Sequence, residues 1–305
     1  WVNGTTNTEL ATLAEAMEGA VGLANAYNIS TSSFIDSFSV SSQDADPCGL
    51  AFNVDGTKMF MTGLGGSVNE YSLSTGFDVS TASFVDGFSV SGQASQPRGV
   101  AFSVDGTKMY VVSDATGARL VYQYTLSTGF DVSTASYDSI SFNVGNEDTS
   151  PQDIAINTDG SKLFMVGSAN DSVYEYALST AFNVSTASLT RSYSVSSQDT
   201  NPRGLSFSSD GTEMFVVGVQ NADVYQYTLA SAFDLTSVTF DRSFSITAQE
   251  VNPQAISWNA NGSKMFVLGL SGVDVNEYSV GTVSYTNQMD KTQLDAVTDP
   301  NHIAL

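Results

Sequence analysis

A Gly-containing pair recurs five times at nearly constant spacing, and it governs what this chain can become. The pairs are Asp55-Gly56, Asp105-Gly106, Asp159-Gly160, Asp210-Gly211 and Asn261-Gly262, at steps of 50, 54, 51 and 51 residues. Before each stands a Pro followed by small, apolar and aromatic residues, as in Pro47 to Phe52. After each comes an apolar run and then a Val-x-Glu/Gln-Tyr segment. These segments are Val68 to Tyr71, Val121 to Tyr124, Val173 to Tyr176, Val224 to Tyr227 and Val275 to Tyr278. Repeats of this length mark units that cannot bury their apolar faces alone and must stack on copies of themselves.

Each copy divides into four strands. Strand a follows the Pro (Gly99 to Phe102 in the second copy). The Asp-Gly pair closes a hairpin, because Gly tolerates positive φ and Asp a tight turn. Strand b, such as Lys108 to Val112, is apolar on both faces and is expected to be the most buried. Strand c, Val121 to Leu126, alternates, and a Phe-Asp-Val-Ser-Thr-Ala loop (77–82, 130–135) leads into strand d, such as Ser83 to Val90. Four antiparallel strands per copy predict an all-β, five-bladed β-propeller. Tyr27 to Thr31 lines up with the loop before strand d and Ser33 to Val40 with strand d itself, while the fifth copy stops after strand c. The N-terminal strand is therefore expected to close the last blade, removing two exposed sheet edges. The competing arrangement is an open array with Val283 to Tyr285 as an edge strand. The propeller takes residues 26–282. Residues 1–25, with Thr8 as cap and Leu10, Leu13, Met17, Ala20 and Ala24 on one stripe, read as a helical docking segment. Residues 283–305 form a C-terminal tail with a short helix over Met289 to Val297.

Charge narrows the partners. Ten Lys and Arg stand against 32 Asp and Glu, a net charge of −22, which argues against nucleic acid and anionic membrane surfaces. No apolar run is long enough to insert in a membrane. One Cys (Cys48) and one His (His302) leave no disulfide framework, no thiolate zinc site and no Ser-His-Asp triad. No metal or other cofactor is expected.

Propeller ligands sit at one channel mouth, at the entry to strand a. The residues after each Pro are Cys48, Arg98, Gln152, Arg203 and Gln254, and they are expected to ring that mouth. Asp153 replaces the Gly49, Gly99, Gly204 and Ala255 of the other copies. Arg98, Gln152, Asp153, Arg203 and Gln254 are thus the candidate ligand-binding residues, with the two Arg suited to planar or acidic groups. The competing reading makes Pro shape the strand crossing and leaves the nearby acids (Asp44, Asp46, Glu147, Asp148, Asp199, Glu250) merely solvated. Glycoside hydrolysis needs two carboxyl groups across the channel, and Asp153 alone falls short, so no catalytic residue is assigned. Lys58, Lys108, Lys162 and Lys264 read as solvated strand ends. Asp78, Asp131, Asn183 and Asp234 read as Asx turns rather than calcium ligands. Tyr71, Tyr124, Tyr176, Tyr227 and Tyr278 read as packing between blades. Asn69, Tyr122, Tyr174, Tyr225 and Asn276 read either as exposed platforms for sugars or as cover for the next blade.

Two resemblances add to this. The Phe-x-x-Asp-Gly-Thr-Lys-Met-Phe pattern resembles the blade motif of TolB-type propellers and implies fold, not function. Residues Asp290 to His302, and the near-identical Ser-Thr-Gly-Phe-Asp-Val-Ser-Thr-Ala-Ser blocks at 74–83 and 127–136, are similar to segments of bacteriophage tail-fibre and virion structural proteins. They imply a non-enzymatic appendage protein on the virion surface, extracellular, joined to other virion proteins through its termini. Its propeller would bind a host-surface glycan or protein, and a homotrimer would be natural for such a fibre. The alternatives are a secreted prokaryotic lectin-like propeller and a propeller glycoside hydrolase.

Overall fold

The computed structural model describes residues 26–117 and 119–281; the expected helices and the C-terminal tail lie outside the described residues. Twenty strands form five four-stranded antiparallel sheets. Blade 1 holds β2 (Pro47–Phe52), β3 (Lys58–Gly63), β4 (Ser67–Leu73) and β5 (Ala82–Ser89). Blade 2 holds β6 (Pro97–Phe102), β7 (Lys108–Ser113), β8 (Leu120–Leu126) and β9 (Ala135–Asn143). Blade 3 runs through β10 (Pro151–Ile156), β11 (Lys162–Gly167), β12 (Ser172–Leu178) and β13 (Ala187–Ser194). Blade 4 runs through β14 (Pro202–Phe207), β15 (Glu213–Gly218), β16 (Asp223–Leu229) and β17 (Val238–Ser245). Blade 5 combines β18 (Pro253–Trp258), β19 (Lys264–Gly269) and β20 (Asp274–Ser279) with β1 (Ser33–Ser39). The N-terminal strand does close the ring: Ser33 pairs with Ser279, Phe34 with Tyr278 and Phe38 with Val275.

Two motifs that lie just over twenty residues apart in the first four repeats, and at opposite ends of the propeller in the fifth, form one contact. In the first hairpin Asp55 accepts from the Thr57 amide (3.0 Å) and hydroxyl (2.6 Å), and Gly56 takes φ of +72°. Phe77, itself at φ +58°, lays its ring on that glycine, so a Cβ at Gly56 would collide with it. Gly106, Gly160, Gly211 and Gly262 carry Phe130, Phe182, Phe233 and Tyr27 in the same way. Asp78, Asp131 and Asn183 then cap three-residue 3-10 turns by accepting from the amides of Ser80, Ser133 and Ser185, and Asp234 accepts from Thr236. The Asx-turn reading holds.

Among the described residues no strand pairs across a blade boundary, so side-chain contacts set how neighbouring blades meet. One seam element is a set of edge-on aromatic pairs at every junction: Phe38–Tyr71, Phe88–Tyr124, Phe142–Tyr176, Tyr193–Tyr227 and Phe244–Tyr278, with centroids 5.2–6.0 Å apart. The five tyrosines are fully buried, as expected. Such pairs contribute about 0.5–1.5 kcal/mol each beyond their burial. Asn69, Tyr122, Tyr174, Tyr225 and Asn276 are buried too, so they cover the next blade and offer no sugar platform.

The second seam element is directional. A Glu or Gln in strand c accepts the first amide of the 3-10 turn in the following blade or, in blade 4, of the equivalent turn that opens at Leu235. The pairs are Glu70 with Val132 (3.0 Å), Gln123 with Val184 (3.1 Å), Glu175 with Leu235 (2.9 Å), Gln226 with Ile29 (3.3 Å) and Glu277 with Val79 (2.9 Å). Where the acceptor is Glu, a lysine completes a strut. Lys58, Lys162 and Lys264 pair with Glu70, Glu175 and Glu277 at 2.7, 2.9 and 2.6 Å. Each also donates to the carbonyl of the next blade's aromatic residue, Phe130, Phe233 or Phe77. These lysines are therefore not the solvated strand ends expected. Lys108 pairs with Asp138 of its own blade at 2.9 Å instead.

Glu277 sits at the junction that closes the ring. Glu277→Ala strands the Val79 amide and Lys264 together and is expected to cost about 2–3 kcal/mol. Glu277→Gln keeps the amide bond, as Gln123 and Gln226 do, and is expected to cost about 1 kcal/mol. Equilibrium urea unfolding of both variants checks this ordering; equal losses would show that the clasp contributes nothing.

Candidate functional site

Five innermost strands crowd the axis. A Cβ on Gly49 would run into the Arg98 carbonyl, one on Gly204 into the backbone of Ala255 and Ile256, and one on Gly99 into Asp153. Neighbouring inner strands thus approach one another closely at the level two residues past each Pro, which leaves little room there for a side chain. Asp153 is the one large side chain at that level, 3% exposed. Its Oδ1 accepts from the Ile154 amide (2.9 Å) and its Oδ2 from the Leu205 amide across the seam (3.0 Å). Both bonds favour ionisation, yet burial outweighs them and pushes the carboxyl up to about 8.

On the rim, the post-Pro residues meet in pairs. The Arg98 guanidinium lies 3.6 Å from Cys48 Sγ, and Arg203 Nη1 donates to Gln152 Oε1 at 2.6 Å. Gln152 is held in turn by the Ser150 and Ser168 hydroxyls at 2.7 and 3.1 Å. Gln254 keeps to its own loop, donating to Asn252 (2.8 Å), so it is not drawn into the cluster. Burial lowers the Arg203 pKa, and the neighbouring positive charge of Arg98 lowers it further. Nε of both Arg98 and Arg203 is buried with no acceptor among the described residues. Desolvation likewise raises the Cys48 thiol.

Sequence reasoning missed two rim residues. The turn between β7 and β8 has six residues where the other blades have three or four, and it carries Asp114 and Arg119. Asp114 lies 3.8 Å from Arg98 and 3.6 Å from Arg119, and it accepts from the Ser150 hydroxyl at 3.2 Å. Burial raises its pKa despite the arginines. The signal was the 54-residue step among steps of 50 and 51.

Four of the other acids near the rim are not the solvated groups of the competing reading, whereas Asp46 is exposed. Asp44, Asp148, Asp199 and Glu250 are buried and clamp the loop into strand a onto the b–c turn. Asp148, for instance, accepts from the amides of Ser150, Ala169 and Asn170 at 2.8–3.1 Å. Blade 2 has Ala94 in this position. Among the described residues no group of three or more His, Cys, Asp or Glu side chains is placed to hold a metal ion.

These features define a closed propeller with one cationic, partly desolvated rim site. Residues 77–232, just over half of the chain, match the profile of a family described as "Lactonase, 7-bladed beta-propeller", and the chain belongs to that family. It does so with five blades rather than seven; the matched stretch runs from the c–d loop of blade 1 to that of blade 4. No curated protein matches the chain. Among solved structures it is similar to a protein from Lactobacillus plantarum (13% identity, 73% of this chain, 64% of that one, TM-score 0.48). It is also similar to a nidogen/laminin complex (13%, 73% and 72%, 0.47) and to a candidate 6-phosphogluconolactonase from Bacteroides fragilis (15%, 73% and 63%, 0.46). The chain spans slightly less than two thirds of the first of these.

Family membership corrects the expectation of a non-enzymatic virion protein, since the family takes its name from a hydrolytic activity. The Phe-Asp-Val-Ser-Thr blocks that suggested a phage appendage have a stereochemical cause instead. Phe covers the turn glycine, Asp caps the 3-10 turn, and Val79 and Val132 are buried. The Asp-Gly-Thr motif likewise reflects hairpin closure, and the matching profile is the lactonase one, not the TolB type.

Because burial raises the Asp153 pKa in the folded state, the contribution of this group to stability is fully present below about pH 4 and declines toward pH 8, by at most about 1.4 kcal/mol per unit. Asp153→Asn is expected to flatten that decline, read from urea midpoints at pH 5 and pH 8. An unchanged slope would mean that the carboxyl is ionised in the fold.

Proposed function

We propose that the protein is a propeller hydrolase that opens a lactone bearing an anionic group, at the rim formed by Arg98, Asp114 and Arg203. The carrying observation is the pair of adjacent guanidinium groups with buried, unpartnered Nε donors, an arrangement that calls for oxygen anions. Membership of the lactonase family supports the reaction class. In this reading Arg203, braced by Gln152, holds the anionic group of the substrate. Asp114 takes a proton from water as it attacks the ester carbonyl carbon, and Arg98 stabilises the resulting oxyanion. The ring C–O bond then breaks, the departing oxygen takes the proton from Asp114, and the hydroxy acid formed ionises to a hydroxy-carboxylate, releasing the second proton of the attacking water to solvent. A glycosidase reading is less well supported, because Asp153 spends both oxygens on backbone amides.

Turnover of a panel of acidic sugar lactones, followed by proton release, tests this. Asp114→Asn is expected to lower kcat by about 10²–10⁴. Arg203→Gln is expected to lower kcat/KM about 10–100-fold, mainly through KM. The acid limb of kcat/KM is expected above the ordinary carboxylate range, because burial raises Asp114. Lactone turnover that survives both substitutions would sink the assignment, as would its absence across the panel.

A further inference from the structure

The lysine struts mark three of the five junctions, and two clefts lie at the other two. Between blades 2 and 3 a cleft of about 430 Å³ is lined by Lys108, Asp105 and Phe182, among others. Here Lys108 has turned to Asp138, and the Tyr110 hydroxyl donates to the Phe182 carbonyl at 2.8 Å. That carbonyl is the counterpart of the one a lysine serves elsewhere, so this junction replaces its own strut.

Between blades 4 and 5 the replacement is different. The strut lysine is Glu213 and the strut glutamate is Gln226. A cleft of about 370 Å³ is lined by Tyr27, Ser209, Asp210, Thr212, Glu213 and Asn261, among others. Tyr27 is the positive-φ aromatic residue of this junction. Its carbonyl is the counterpart of those that accept from Lys58, Lys162 and Lys264. Glu213 receives hydrogen bonds from neutral donors, Gln226 Nε2 at 3.1 Å and Thr228 Oγ1 at 3.4 Å. The Arg242 guanidinium nearby is taken up by Asn28 (2.5 Å) and by Asp241 (2.8 Å). Asp210 accepts from the Ser208 and Thr212 hydroxyls and the Thr212 amide, at 2.7–3.0 Å. The charge at this junction is thus reversed: a carboxylate and a carbonyl position remain, no lysine among the described residues joins them, and an open cleft lies beside them.

We infer that the cleft between blades 4 and 5 binds a primary alkylammonium group, which bridges the Glu213 carboxylate and the Tyr27 carbonyl as a lysine does at three other junctions. The ammonium has three donors, for the carboxylate, the carbonyl and a hydroxyl of Ser209 or Thr212, and its alkyl chain occupies the cleft. The site lies on the hairpin face, at the opposite end of the strands from the rim, and does not depend on the reaction proposed there.

The test is thermal unfolding of the full chain in n-butylammonium chloride, against sodium and tetramethylammonium chloride at equal ionic strength. Butylammonium is expected to give a saturable rise in Tm that the other two cations do not give. In Glu213→Gln its half-saturation is expected to be at least tenfold weaker. Glu213→Lys combined with Gln226→Glu rebuilds the strut from within and is expected to melt higher than the parent and to ignore butylammonium. No selective rise in the parent overturns the inference. So does an undiminished response in either variant, and the double variant decides if Glu213→Gln fails to fold.

Discussion

Everything in this ring depends on the acceptor at the centre of strand c. Hydrogen bonding within each sheet is complete without any neighbour, so the backbone does not fix how blades stand to one another. Apolar seams drive the blades together but are tolerant of sliding, because burial has no direction. A buried Glu or Gln that must take one amide from the next c–d turn has only one satisfactory position. An unmatched partner at that depth costs about 1–3 kcal/mol. Five such bonds, including Glu277 to Val79 across the closure, set one register at every junction.

Much of the architecture was legible because local and global demands coincide. The Asp-Gly turns, the alternation in strand c and the surplus strand at the N-terminus each lead to the same closed ring. The rest depended on contacts between segments whose proximity no single repeat reveals. Phe77 looks like an ordinary apolar residue until Gly56 is seen beneath its ring. Asp148 looks like a loop acid until the b–c turn folds back onto it. Lys58 and Glu70 look independent, yet the repeats already hold the clue: lysine accompanies glutamate in copies 1, 3 and 5, and Glu213 accompanies Gln226. The rim was half legible. The position after Pro placed Arg98 and Arg203, whereas Asp114 arrived on a lengthened turn whose only trace was a longer step between repeats.

Five blades rather than seven also changes what the axis can do. Close approach of the inner strands demands glycine or alanine in four copies. The single exception, Asp153, has its pKa raised by burial and is tied to the backbone of the following blade. A carboxyl so placed is a cross-seam link, with both oxygens already engaged by backbone amides.

The departures from the repeat are where this chain differs from a purely structural ring. Blade 2 loses the loop clamp at Ala94 and gains the turn that sets Asp114 against Arg98. Blade 4 loses the lysine and opens a cleft around Glu213. Both changes leave the strand-c clasp intact, as Gln123 and Gln226 show by still accepting their amides. An amide side chain retains the acceptor that the ring needs while giving up the charge that held a lysine. Exchanging Glu for Gln in strand c therefore frees the neighbouring position to vary without opening the propeller, and it is at those freed junctions that the clefts occur.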